Sequence, residues 1–220
     1  VSVSMDGPFG ETGVVPRLWE IISAHWHSLG DDNMAVLSVM SCLETLLSAF
    51  GGNVQTTLIE YAFARSRSAL LVILYTQHVS DEIDLACGCL SLLSALTSVR
   101  CLTAEQYPLL SEILAKCLAV PENPDFLQSV FALIGDAAGV CVELVVPVLD
   151  AAIRSLLDHL ASDLGDNVAV NAVWAMGQLA ARYPVSPESA NRAASIMVQT
   201  MTTKNYPTRA YLDNQVVALG

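Results

Sequence analysis

Apolar residues recur along most of this 220-residue chain at the three- and four-residue spacing of amphipathic helices, and no alternating stretch competes. The pattern is sharpest over 167–182. At about 100° per residue, Val168, Ala172, Met176 and Leu179 fall on one apolar stripe, and Asn167, Asn171, Trp174 and Gln178 fall nearly opposite. The same wheel over 123–140 places Asp125, Ser129, Ala132 and Asp136 on one face and Val130, Ile134 and Ala137 on the other. In each segment one face reads as core and the other as an open wall.

Helical stretches alternate with turn chemistry. Gly30-Asp31-Asp32-Asn33, Gly51-Gly52-Asn53, Pro121-Glu122-Asn123-Pro124 and Gly165-Asp166-Asn167 read as loops or N-caps, and Pro184 and Pro187 flank another turn. These breaks predict first helices near 16–28, 54–78, 103–118, 144–161 and 187–201. Second helices are predicted near 33–50, 81–98, 123–140, 167–182 and 208–220. Matching positions recur in the second helices. Ser94, Gly135, Gly177 and Gly220 lie in similar contexts, at intervals of 41, 42 and 43. Paired helices at that period are the signature of HEAT or armadillo solenoids. The expected fold is therefore all-α, a right-handed α-solenoid of about five antiparallel HEAT-type helix pairs. It forms one array over 1–220, with repeats near 14–51, 52–100, 101–141, 142–184 and 185–220. The chain lacks an initiator Met and stops within a helical pattern, which reads as a piece of a longer array.

Composition removes several functions. Although 53% of residues are hydrophobic, the longest uncharged apolar run in the most membrane-like region, 68–80, is bounded by charges and falls short of the roughly 20 residues a membrane helix needs. The net charge of −12, with ten Lys plus Arg, disfavours nucleic acid. It favours a basic protein or peptide, or simply serves solubility. Cys42, Cys87, Cys89, Cys101, Cys117 and Cys141 form no C-x-x-C pair and mostly lie in apolar helical stretches, as buried free thiols in a reducing compartment do. His25 and His27 flank Trp26 without ligand-spaced partners, so neither a metal nor another cofactor is expected. There is no Ser/His/Asp set at a turn, no phosphate-cradling glycine loop and no carboxylate pair with a well-spaced His, so an enzyme is not expected.

Solenoids bind extended partners along a concave wall. Stepping by the repeat interval, Ser91, Ala132, Trp174 and Val217 occupy equivalent positions and should form one row there, with Asp136 and Gln178 aligned one turn further on. Trp174 in a polar stripe is either a peptide anchor or a ring packed on the adjacent repeat. Asp136 is either part of a site or a solvated helix-surface acid. Asn171 and Asn214 correspond across repeats, where they would hold a ligand backbone or form a ladder between helices.

The segments FALIGDAAGVCVELVVPVLDAAI (131–153), NAVWAMGQLAARY (171–183) and LDNQVVALG (212–220) resemble, in order and spacing, the C-terminal arch of transportin-type (karyopherin-β2-like) import receptors of the importin-β family. The likeness continues more weakly through SDEIDLACGCLSLLSAL and HSLGDDNMAVLSVMSCLETLL. It implies a shuttling receptor of cytoplasm and nucleus whose concave face binds proline–tyrosine nuclear localisation signals of cargo. This part would receive the signal's upstream hydrophobic or basic segment. Ran-GTP and nucleoporins would act through the full-length receptor, with the Ran site outside this chain. By position, Trp174 matches a cargo-contacting tryptophan, Asp136 an acid on the same wall and Val217 an aliphatic contact. Asn171, Gln178 and Asn214 join them as candidate cargo-binding residues. Two acids of that family's site fall here at Ser91 and Ser98, which implies weaker attraction for strongly basic segments, and the loop before Asp81 is shorter. The competing reading is a HEAT scaffold of phosphatase or vesicle-coat type, holding folded partners by loops or edges indifferent to Trp174.

Overall fold

The computed structural model describes residues 17–18, 20–22, 24, 29, 32–50, 56–120, 123–160 and 166–203. Among them there is no strand; residues 17–18, 20–22 and 24 are helical, and eight α-helices follow: α1 (Asn33–Phe50), α2 (Thr56–Thr76), α3 (Ile83–Ser98), α4 (Tyr107–Cys117), α5 (Pro124–Val140), α6 (Leu149–His159), α7 (Asp166–Ala180) and α8 (Pro187–Thr203). The all-α paired-helix architecture expected from the spacing is thus present. The helix expected over 208–220 lies outside the described residues, as does much of the one expected over 16–28.

Local chemistry sets the boundaries. Asn123 is extended (φ −126°, ψ 121°) and its side chain accepts the Phe126 N–H, while Pro124 opens α5. Proline suits that position because the first helical N–H has no intrahelical partner in any case. Asp32 accepts the Ala35 N–H at 3.1 Å before α1, and the Ser186 hydroxyl accepts the Ser189 N–H at 3.1 Å before α8. The helix expected over 144–161 is shorter than its apolar pattern. Two 3-10 turns, Val142–Leu144 and Val146–Val148, precede α6. Pro147 explains the change, since it has no N–H to donate and its ring opposes the carbonyl four residues back. Likewise α4 starts at Tyr107 rather than near Thr103, because the Gln106 side chain accepts the Thr103 N–H at 2.8 Å and holds that turn apart.

The second helices α1, α3, α5 and α7 stack in one continuous row, each packed along the next. In the other layer α2 packs on α3 and α6 on α7, while α2–α4 and α6–α8 meet less extensively. One core runs between the layers, with Leu70, Leu93, Phe126, Phe131, Leu156 and Val173 among its fully buried members. Each large apolar side chain so buried is worth about 1.5–3 kcal/mol. No described helix is long and apolar enough to cross a membrane.

Cys89 and Cys117 are buried, and burial pushes the Cys89 thiol up to about 12. Cys42, by contrast, is exposed. It follows Ser41 on the outward side of α1, between Met40 and Leu43 of the buried stripe that continues to Leu47.

Candidate functional site

The row of second helices presents an open groove of about 430 Å³. Its floor is made of small side chains, among them Ser91, Ala132 and Ser129, and its two carboxylates are Glu44 of α1 and Asp136 of α5. Asn171 of α7 closes one end.

Asp136 is half-buried and accepts the Ser94 hydroxyl of α3. Burial pushes its carboxyl above the ordinary value, and hydrogen bonds from Ser94 and Ser98 pull it part of the way back. Glu44 has the same physics: burial raises it and a hydrogen bond with Ser91 lowers it. Each acid is therefore tied to a serine of α3. Ser91 and Ser98, which replace acids in the resemblance drawn above, serve here as partners of the two acids that remain.

Asn171 donates its side-chain N–H to the Gln128 carbonyl of α5 at 3.0 Å. It links neighbouring second helices while lining the groove. Trp174 and Gln178 do not line that groove. They project from α7 onto α5, at its two glycines. A Cβ added to Gly135 would stand 2.5 Å from Cε3 and 2.9 Å from Cη2 of Trp174, with Cζ3 nearer still, and one on Gly139 would stand 3.3 Å from Oε1 of Gln178. Trp174 is nonetheless only half-buried, as is Gln178, whose Oε1 also accepts Arg182 Nη1 at 2.8 Å. Of the six residues singled out in the sequence, Asp136 and Asn171 share the groove, and Trp174 and Gln178 sit side by side beyond it. Val217 and Asn214 lie outside the described residues.

Glu44 escaped the sequence reading. Its signal was present, because Ser41, Glu44 and Ser48 recur at i, i+3, i+7 beside the buried stripe of Met40, Leu43 and Leu47. The repeat interval could not reach it. The first helix between α1 and α3 has 21 residues, against 11 in the next repeat.

No family model matches the chain. It is 26% identical over 211 residues to transportin of Dictyostelium discoideum, an alignment covering 89% of this chain and 22% of that protein. It is 27% identical over 171 residues to importin subunit beta-2 of Schizosaccharomyces pombe, covering 70% of this chain and 18% of that one. The chain thus spans about a fifth of the length of these curated relatives. In sequence it is transportin-like and importin-β-like along most of its length.

Proposed function

We propose that this chain is part of a nuclear import receptor and that its row of second helices binds nuclear localisation signals of cargo proteins, without catalysis. Support for this reading comes from the groove that Asp136 and Asn171 share along the row of second helices, with Trp174 and Gln178 beyond it on α7, in a chain similar to transportin and importin subunit beta-2. The groove is open and lined by small side chains, a form that suits an extended peptide. Trp174 keeps a partly exposed ring for an apolar cargo side chain, and Asp136 and Glu44 supply negative charge. Since serines already hold both acids, the wall favours a signal with an apolar upstream segment over a densely basic one. The cargo class is the proline–tyrosine signal. Ran-GTP and nucleoporins engage the full-length receptor, which shuttles between cytoplasm and nucleus.

The test is fluorescence anisotropy of a labelled proline–tyrosine signal peptide carrying its upstream segment, at low and high salt. Trp174→Ala is expected to weaken binding by roughly tenfold or more, the loss typical of a central aromatic contact. Salt is expected to weaken it only modestly, because few unpaired charges take part. Binding that ignores Trp174 removes the wall from the recognition site.

A further inference from the structure

The glycines of α5 have a role that repeat periodicity alone does not give them. In α3, Ser94 and Ser98 point at α5 and meet one side chain, Asp136. In α5 the equivalent positions, each 41 residues on, are Gly135 and Gly139, and they meet Trp174 and Gln178 of α7. The same two places on successive second helices thus receive the side chains that the next helix carries onto the wall. What they hold decides what fits. A serine admits and bonds a carboxylate, whereas only a residue without Cβ admits the six-membered ring of an indole. The contact is not one that a flexible tip could relieve by a few tenths of an ångström. Three ring atoms of Trp174 lie within 2.9 Å of the missing Cβ, against the roughly 3.5–4.0 Å at which carbons rest, and the ring moves as a rigid unit.

We propose that Gly135 is a positioning residue of the wall: by lacking a side chain it seats the Trp174 ring against α5 and so fixes where the half-exposed indole stands toward a bound ligand. The cargo reading enters only through the binding half of the test. Gly135 itself is buried, so its effect on a ligand runs through Trp174.

The chain contains three tryptophans, and Trp19→Phe with Trp26→Phe leaves Trp174 as the reporter. In that background, Gly135→Ala and Gly135→Ser are compared with Trp174→Ala by indole emission, by anisotropy of the labelled proline–tyrosine peptide and by circular dichroism. The expected result is helicity retained, Trp174 emission shifted, and peptide affinity lowered about as far as Trp174→Ala lowers it, roughly tenfold. Adding Gly135→Ala to Trp174→Ala is expected to change affinity no further, since both act on one ring. If Gly135→Ala fails to fold, Gly135→Ala with Trp174→Phe decides. The shorter ring withdraws the atoms that the new Cβ strikes, so that pair is expected to recover helicity, and its failure to do so overturns the proposal. Unchanged emission in Gly135→Ala overturns it as well, whatever the affinity does. So does a shifted emission with full affinity when Trp174→Ala has lost it. A shifted emission when neither variant alters binding upholds the seat and removes the cargo reading instead.

Discussion

The two layers of this molecule are joined by different chemistry. Along the row of second helices, neighbours meet through buried apolar side chains, glycines that admit a ring or an amide, and short-range hydrogen bonds such as Asn171 to the Gln128 carbonyl. Along the other row, neighbours are spanned by charged side chains. Arg67 reaches Glu112 at 3.2 Å between α2 and α4, Lys116 stands 4.3 Å over the Tyr75 ring between the same helices, and Arg192 reaches Asp158 at 2.7 Å between α6 and α8. Packing that excludes water is indifferent to salt, whereas exposed ion pairs are weak and screened. The second-helix row is therefore the more closely packed side of the array, and the first-helix row is the side joined through exposed charges. A wall that must present side chains at set positions belongs on the closely packed side.

The largest effect should come from the closely packed row. Phe131 of α5 is wholly buried and also meets the His159 ring, centroids 5.4 Å apart. Phe131→Ala is expected to cost about 3–5 kcal/mol in urea denaturation. Val72 of the other row is 59% exposed, and Val72→Ala should stay within about 0.5 kcal/mol. Comparable losses at the two positions would mean that burial does not set the cost.

Asn171→Ala comes next, at about 1–2 kcal/mol, because it removes one half-buried hydrogen bond between α5 and α7. A cost near zero would mean that this hydrogen bond adds nothing to the packing around it.

Asp136 sharpens the comparison through pH. Its folded carboxyl titrates above the ordinary value of 3.8. Below that value the group is neutral in both states and contributes no difference. As pH rises past 3.8 the unfolded chain releases its proton first, so stability falls until the folded carboxyl has also ionised, and the deficit then persists at neutral pH. Asp136→Asn should flatten this slope in thermal melts taken upward from about pH 4. A slope as steep in the variant as in the parent would assign it to another group.

Much of this organisation is visible in the sequence, for identifiable reasons. From α3 to α7 the second helices recur at nearly constant interval, so one wheel carried from repeat to repeat finds Asp136 and Asn171, which share the groove, and Trp174 and Gln178, which lie beside each other outside it. The cap at Asn123 is legible because side chain and proline act within one turn. Glu44 was missed because the long α2, which separates it from α3, breaks the constant interval. That the Trp174 ring packs on the adjacent repeat stood as one of two readings, but the residue that seats it was not legible. A helical wheel gives the direction of a side chain and not the depth of the neighbouring helix, so Gly135 reads as a repeat marker until the ring is seen against it. Pro147 falls inside the helix expected over 144–161 and went unread there, because the apolar run around it buries Leu144 and Val148 in 3-10 turns as readily as a helix would.

The smallest expected effect lies at the α6–α8 joint. Arg192 and Asp158 remain 53% and 60% exposed in their side chains despite a 2.7 Å contact, so most of their attraction is spent on displacing water and fixing two flexible side chains. Arg192→Ala should cost no more than about 0.5–1 kcal/mol at low salt, and less at high salt. A double-mutant cycle with Asp158→Ala isolates the pair from the loss of the arginine stem, which also lines the cleft formed with Leu149, Ile153 and Tyr183. A coupling that survives high salt, or that matches Asn171→Ala, would show this joint to be held as closely as the wall, and the two layers would then not differ in how they are joined.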